Sequence, residues 1–141
     1  MTTRIYGFDG ENRWLSNFWV EKDGSSGEHR FQAAKASTAE EAAWVMAAPS
    51  PGGAKGRGRK VTLRKDWDDV RVQAMLDQLR IKFLDLELSD KLVATGDTVL
   101  IEANTWGDTF WGVDAETGQG ENWLGYMLMY VRAELKRVRE I

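Results

Sequence analysis

Near its C-terminus the chain places apolar residues at intervals of three and four over residues 122–139. This spacing is typical of an amphipathic helix, and such a helix is stable mainly when the rest of the chain covers its apolar face. The members of that face are Leu124, Met127, Leu128, Val131, Leu135 and Val138. We therefore predict a long C-terminal helix whose apolar stripe forms part of a hydrophobic core.

The rest of the chain alternates between helical and extended patterns without a regular βαβ repeat. Further helices are predicted over residues 28–37, 39–47, 67–84 and 90–94, with Thr38 and Ser89 as N-caps. Strands are predicted over residues 5–8, 18–20 and 98–103, with residues 109–113 as a possible partner of the last strand. The sequence thus predicts a helix-rich α+β fold with a few short strands, and 141 residues predict a single domain over residues 1–141.

Composition excludes several classes of chemistry. The chain has no cysteine and one histidine, which excludes disulfides, thiolate ligands and a cysteine nucleophile and argues against a structural zinc site. It has no apolar signal segment at the start and no apolar run of the roughly 18 residues needed to cross a bilayer. We expect a soluble cytoplasmic protein that needs no metal and no cofactor. The net charge of -3 argues against coating of nucleic acid by the whole surface.

Basic residues are concentrated in one segment, because no acidic residue occurs between Glu41 and Asp66. Its cationic members are Lys55, Arg57, Arg59, Lys60, Arg64 and Lys65, interspersed with glycines and preceded by both prolines of the chain. Guanidinium groups match phosphate geometry, and glycines let the backbone approach a ligand closely. We interpret the segment as a loop that binds an anion; the alternative is a mobile, solvated loop.

The stretch GEHRFQAAKAS, residues 27–37, contains the single histidine and three other polar candidates. At about 100° per residue, Glu28, Gln32 and Lys35 share a sector of roughly 60° on a helix, and His29 points about 100° away from Glu28. The three residues therefore form either a site or an exposed ladder of polar side chains. His29 alone is more typical of a packed or capping residue than of a catalyst.

Two other stretches place polar residues among aromatic ones. WLSNFW sets Asn17 beside Phe18, and WGDTFWG sets Asp108 between Trp106 and Trp111. Aromatic faces next to polar groups are suited to stacking a planar ring and orienting a sugar. Any single tryptophan can equally belong to the core.

The ordered motifs resemble those of one known family. They are WLSNF, GEHRFQAAKA, SPGGAKGRGR, DW, MLDQLRIKF, TGDTVLIEAN, DTFWG and GENWLGYMLMYVR, and they span nearly the whole chain from Tyr6 to Leu135. Because they occur in this order, the chain is identified as similar to the NADAR superfamily, which includes riboflavin-intermediate N-glycosidases.

The resemblance implies cleavage of the bond between a ribose C1 and a nitrogen. The substrate it implies is either a phosphorylated ribosylaminopyrimidine of riboflavin synthesis or ADP-ribosylated guanine, with ADP-ribosylated nucleic acid as a further partner. It implies Lys35 as the lysine that forms a Schiff base and Glu28 as its acidic partner, and it places Asp108 in the pocket lining. Because proton transfer can be shared by two carboxylates, Asp108 is the third candidate catalytic residue. The predicted substrate-binding residues are Asn17, Phe18, His29, Gln32, Arg59, Trp106, Trp111, Gly112 and Asn122.

Two mechanisms remain open from the sequence. In one, a neutral Lys35 adds to C1 and forms a Schiff base; in the other, Lys35 stays cationic while Glu28 or Asp108 activates water. Two other functions also remain open: a noncatalytic module that binds ADP-ribose or a nucleotide, and a nucleic-acid protein that uses residues 55–65.

Overall fold

The structure, a computed structural model, describes residues 3–140. The chain divides into two compact units. Residues up to Leu15 together with those from Phe83 onward form the first unit, and Ser16–Lys82 forms the second. The fold is helix-rich α+β with a few short strands, which confirms the predicted fold class.

The second unit is helical. Its helices are α1 (Gly27–Ala34), α2 (Ala39–Met46), α3 (Pro51–Gly58) and α4 (Trp67–Lys82). The helix α1 contacts each of the other three, so its side chains face neighbours on several sides. Phe31 on α1 packs against Trp67 at the start of α4, with ring centres 5.2 Å apart.

Hydroxyl side chains start the first three of these helices. Ser26 accepts a hydrogen bond from the backbone N–H of His29, Thr38 accepts from Glu41, and Ser50 accepts from Gly53. Each bond satisfies one of the backbone donors that a helix leaves unpaired in its first turn. The predicted cap at Thr38 is confirmed, and α1 ends at Ala34 rather than at residue 37.

The prediction of a basic loop is wrong for its first half, because Pro51–Gly58 forms the helix α3, whereas residues 59–66 lie outside any helix. Ser50 caps it and Pro51 occupies its first turn, where a missing N–H costs nothing. The glycines suggested a loop, but Gly58 has a packing role. A Cβ there would lie 2.9 Å from Gln32 Cβ, so glycine allows α3 to approach α1 closely.

The first unit contains the strands and the remaining helices. Strands β1 (Arg4–Tyr6) and β2 (Val99–Ile101) pair in parallel, as do β3 (Ala103–Asn104) and β4 (Val113–Asp114). A 3-10 helix (Gly10–Leu15) follows β1, α5 (Leu86–Ala94) precedes β2, and α6 (Trp123–Arg139) follows β4 and contacts α5 and β2.

Three local predictions need correction. Residues 18–20 do not form a strand, since only Val20 makes an isolated bridge, to Ser26. The helix α5 is capped by Asp85 rather than Ser89, so it begins four residues earlier than predicted. Of the segment 109–113, only Val113 pairs with the strand predicted over 98–103, through Ala103. Residues 99–101 of that predicted strand pair with β1 instead.

The predicted apolar stripe of α6 is largely core. Leu124, Met127, Leu128 and Val131 are buried, whereas Val138, in the last turn, is 67% exposed. No helix within residues 3–140 is long and apolar enough to span a membrane.

Candidate active site

The helix α1 brings the predicted line of polar residues together. Glu28 and Gln32 are both buried, and Gln32 Nε2 donates a 2.7 Å hydrogen bond to Glu28 Oε1. Lys35 follows directly as the C-cap of α1 and is partly buried. The line is therefore not an exposed ladder, because two of its members lie inside the protein.

The environment of Lys35 lowers the pKa of its amine. Burial lowers the pKa of Lys35, Glu28 opposes this, and the charges of Arg59 and Lys55 lower it further. Lys35 Nζ lies 5.9 Å from the centre of the Phe31 ring. A lysine with a lowered pKa is a better nucleophile at neutral pH, since more of it carries a free electron pair.

The helix α3 supplies positive charge beside this line. Lys55 Nζ lies 5.8 Å from the centre of the Phe18 ring, and Arg59 caps α3 and is exposed. Both side chains lie near enough to influence the pKa of Lys35. The same helix carries Gly58 against Gln32, whose Oε1 is buried and has no hydrogen-bond partner within residues 3–140.

His29 is held within the protein. It is 1% exposed, its Nδ1 is 2.8 Å from Ser26 Oγ, and its Nε2 is 2.8 Å from the carbonyl oxygen of Ala48. A carbonyl only accepts, so Nε2 carries the hydrogen of that bond. His29 thus ties the start of α1 to the residues that follow α2, and it points away from the Glu28 line as helical geometry predicts.

Asn17 is also buried and joined to the start of α1. Its backbone oxygen accepts from the N–H of Glu28 at 2.9 Å. Its side-chain oxygen accepts from Gln78 Nε2 at 3.0 Å, and its Nδ2 lies 3.3 Å from Met75 Sδ. Asn17 therefore lies beside Glu28.

The predicted residues of the first unit lie mainly in the turn that follows β3. Asp108 Oδ1 accepts from the backbone N–H of Phe110 and of Trp111, so this carboxylate caps the turn. The Asn104 side chain exchanges hydrogen bonds with the backbone of Asp108. Trp111 is partly buried and packs edge-on against Phe110, whereas Trp106 is 68% exposed.

Asn122 and Gly112 support the backbone of the first unit. Asn122 has a φ of 53°, and its side chain accepts from the N–H of Glu102 and donates to the carbonyl of Leu100. A Cβ at Gly112 would lie 2.7 Å from Glu102 Cγ, so glycine is needed for this close approach. Both residues have clear packing roles where the sequence predicts substrate contact.

Two buried polar residues and one partly buried carboxylate were missed from the sequence. The pKa of Glu102, the partly buried one, is raised to about 7, chiefly by burial and also by the charge of Asp108, while Arg13 acts in the opposite direction. Burial lowers the pKa of Lys82 to about 7. Gln78 is 2% exposed. Glu102 lies in the motif TGDTVLIEAN, and Gln78 and Lys82 lie in MLDQLRIKF. Neither motif nor helical spacing indicated that these three side chains would be removed from water. Within residues 3–140, no group of three or more His, Cys, Asp and Glu side chains is arranged to hold a metal.

The fold and this arrangement define a helix-rich α+β protein with an acid, an amide and an amine along one helix. Comparison with known families gives its identity at the family level. The chain belongs to the NADAR domain family, which matches residues 7–136.

Similar proteins agree with the family. The chain is 39% identical over 130 residues to the N-glycosidase YbiA of Shigella boydii, with 86% of this chain and 80% of that protein covered. It is 37% identical to the riboflavin biosynthesis protein VVA0006 of Vibrio vulnificus, covering 94% of this chain and 38% of that protein. The NMR structure of the Escherichia coli protein YbiA superposes with a TM-score of 0.81 at 34% identity, covering 99% of this chain and 89% of that one.

Proposed function

We propose that this chain hydrolyses the bond between ribose C1 and nitrogen in a phosphorylated ribosylaminopyrimidine, with Lys35 and Glu28 at the reacting centre. The chain is a hydrolase acting on N-glycosyl bonds, the class to which its similar proteins are assigned by name. The observation that carries the finer proposal is the environment of Lys35, where burial and two nearby cations lower the pKa of the amine.

Lys35 is the proposed nucleophile. Its neutral Nζ adds to C1 of the ring-opened sugar, the C1–N bond to the pyrimidine breaks, and the electron pair of that bond leaves with the pyrimidine nitrogen. The leaving nitrogen needs a proton, and the later attack of water on the imine needs a base. As a carboxylate, Glu28 can serve both steps: it takes the proton that Nζ gives up on adding to C1, passes it to the leaving nitrogen, and later takes a proton from the water that attacks the imine.

Gln32 orients Glu28 in this proposal. Its Nε2 donates to Glu28 Oε1 at 2.7 Å, and both side chains are buried, so the carboxylate is restricted to few rotamers. Restricting a catalytic group before substrate binds lowers the entropy cost of the reaction. Asp108 is not assigned the shuttle, because Asp108 Oδ1 already accepts from two backbone N–H groups.

Arg59 and Lys55 are the proposed phosphate ligands. Arg59 is exposed at the end of α3, and both residues are close enough to Lys35 to lower its pKa. A guanidinium can bind two phosphate oxygens at once. Arg59 and Lys55 both lie near the amine of Lys35, and two cations can also balance the charge of a diphosphate. ADP-ribosylated guanine, which carries a diphosphate, is therefore the second candidate substrate.

The product assay tests the function directly. Purified protein is incubated with a phosphorylated ribosylaminopyrimidine and, separately, with ADP-ribosylated guanosine, and released base is measured by mass spectrometry. We expect release by wild type and at least a hundredfold loss in Lys35→Ala and in Glu28→Gln. Lys60→Ala is the matched control, because Lys60 is an exposed lysine of the same basic segment. Tight binding without release of base from either compound would refute the proposal.

Borohydride separates the two mechanisms. Under turnover, reduction of a Schiff base leaves the ribosyl group on Nζ of Lys35, and peptide mass spectrometry locates it. We expect the adduct in wild type and in Lys60→Ala but not in Lys35→Ala. Turnover without any adduct would favour direct attack by water and would leave the N-glycosidase proposal intact.

Arg59→Ala tests the phosphate contact. We expect KM for either phosphorylated substrate to rise about tenfold or more, because one charge-assisted contact is lost. Arg64→Ala is the control, since Arg64 pairs with Asp66 at 2.6 Å and so belongs to a separate ion pair. An unchanged KM in Arg59→Ala would refute this contact.

A further inference from the structure

The helix α4 carries two fully buried polar side chains one turn apart. Gln78 is 2% exposed and Lys82 is 1% exposed. Lysine is among the residues least often buried, because removing an ammonium group from water is costly unless it gains strong partners. Both side chains therefore need polar partners inside the protein.

Both side chains bind the segment before α1. Lys82 Nζ donates to the backbone oxygen of Ser16 at 3.0 Å, and Gln78 Nε2 donates to Asn17 Oδ1 at 3.0 Å. Two successive turns of α4 thus hold two successive residues of the chain. Gln78 Oε1 also accepts from Arg30 Nη2 at 3.4 Å, and Arg30 forms a bidentate pair with Glu21.

The segment that they hold is joined directly to the candidate acid. The backbone oxygen of Asn17 accepts from the N–H of Glu28 at 2.9 Å. A Cβ at Gly27 would lie 2.6 Å from Gln78 Oε1 and 3.1 Å from Asn17 Oδ1, so the first turn of α1 packs tightly on these two amides. Any shift of Gln78 or of Ser16 would therefore move the backbone of Glu28.

We propose that Gln78 and Lys82 are positioning residues of the active site, which set the placement of Asn17 and Glu28 through the Asn17 side chain and the backbone of Ser16. Neither residue is assigned contact with substrate. The inference rests on the proposed function, in which Glu28 moves the proton. It extends that function, because it makes a polar face of α4 part of the machinery for one catalytic carboxylate.

The test uses Gln78→Met and Lys82→Met, which keep most of the side-chain volume and remove the donor. Gln73→Met is the matched control, because Gln73 lies on the exposed face of the same helix and its side chain donates to Asp77 of α4 at 2.8 Å. Activity on the phosphorylated ribosylaminopyrimidine is divided by the folded fraction from urea melts. We expect kcat to fall at least tenfold in both variants with KM changed less than threefold, and no change in Gln73→Met.

A double-mutant cycle separates positioning from a general loss of structure. If Gln78 and Lys82 act through Glu28, adding either substitution to Glu28→Gln will lower the remaining rate by less than twofold, because the group they position is already inactive. A structural role would lower the rate by the same factor in both backgrounds. Gln78→Met and Lys82→Met each remove a different hydrogen bond, so the positioning role can be tested even if only one of the two variants folds.

The outcomes also separate this inference from the proposed function. If Glu28→Gln keeps wild-type turnover, the role of Glu28 in the proposed function is refuted. If Glu28→Gln is inactive and the folded Gln78→Met and Lys82→Met proteins turn over like wild type, only the positioning role is refuted.

Discussion

Gly58 determines how closely α3 approaches Gln32 of α1, so Gly58→Ala is a sharp perturbation of the candidate site. A Cβ at residue 58 would overlap Gln32 Oε1 and lie 2.9 Å from both Cβ and Cδ of Gln32. Real Cβ atoms do not approach other heavy atoms this closely, so Gln32 has to move. Its movement breaks the 2.7 Å hydrogen bond to Glu28.

The magnitude follows from opposing contributions. Replacing glycine by alanine in a helix gains about 1 kcal/mol. Overpacking costs about 1–3 kcal/mol, and loss of a buried hydrogen bond to a charged group costs about 1.5–3 kcal/mol. The free energy of unfolding is therefore expected to fall by roughly 1.5–5 kcal/mol. Gly56→Ala is the matched control, because no atom lies within 4 Å of a Cβ there, and it should instead gain up to about 1 kcal/mol.

The assay is urea unfolding of the two variants together with kcat/KM for base release. We expect opposite changes in stability from two alanines in one helix. We also expect kcat/KM to fall at least tenfold in Gly58→Ala alone, since Glu28 loses its orienting partner. Equal stability of the two variants would show that Gly58 does not limit the approach of α3. Full activity in a destabilised Gly58→Ala would show that the Gln32 bond is not needed for catalysis.

Three further substitutions test buried polar groups. His29→Leu should lower the free energy of unfolding by about 1–3 kcal/mol, because the Ala48 carbonyl loses its donor, and folded protein should retain activity that Lys35→Ala lacks. Asn122→Ala should lower the free energy of unfolding by about 2–4 kcal/mol, measured by thermal melting. The substitution removes both hydrogen bonds of the side-chain amide and a residue type that tolerates a φ of 53°. Glu102 has a pKa of about 7 in place of 4.5, so the wild type should lose up to about 3 kcal/mol as pH rises from 4.5 to 7. Glu102→Gln should lack that loss in urea melts across this range.

The features that the sequence predicted well are those set by local geometry. Glu28 and Gln32 share a face because a helix repeats every 3.6 residues, and the same rule placed His29 elsewhere. The cap at Thr38 and the buried stripe of α6 depend on similarly short spacings. Their positions within each element needed no knowledge of the rest of the chain.

The features that it missed depend on distant contacts. Pairing of β1 with β2 joins Arg4 to Val99, and no local pattern fixes such a partner. The helix α3 is glycine-rich, so its composition favours a loop. The requirement for glycine at residue 58 comes from its close packing on Gln32 of α1, which no local pattern shows. In the sequence, Gln78 and Lys82 have the pattern of ordinary exposed polar residues of a helix. They are buried because residues 16–17, distant in the chain, pack against them.

The charges around Lys35 provide a way to distinguish the two mechanisms by pH. Arg59 lowers the pKa of Lys35, so Arg59→Ala should raise that pKa in the free enzyme and move the corresponding limb of the kcat/KM profile to higher pH. A phosphate bound at Arg59 and Lys55 would offset the same charges, so the pKa that governs kcat should lie above the pKa that governs kcat/KM.

The direction of that limb decides between the mechanisms. A Schiff base requires a neutral amine, so activity would increase as pH rises through the pKa of Lys35. Direct attack by water uses a cationic Lys35, so activity would decrease over the same range. Because Arg59→Ala moves the limb to higher pH in both cases, its shift identifies the limb as that of Lys35, and the sign of its slope then reports the protonation state that catalysis requires.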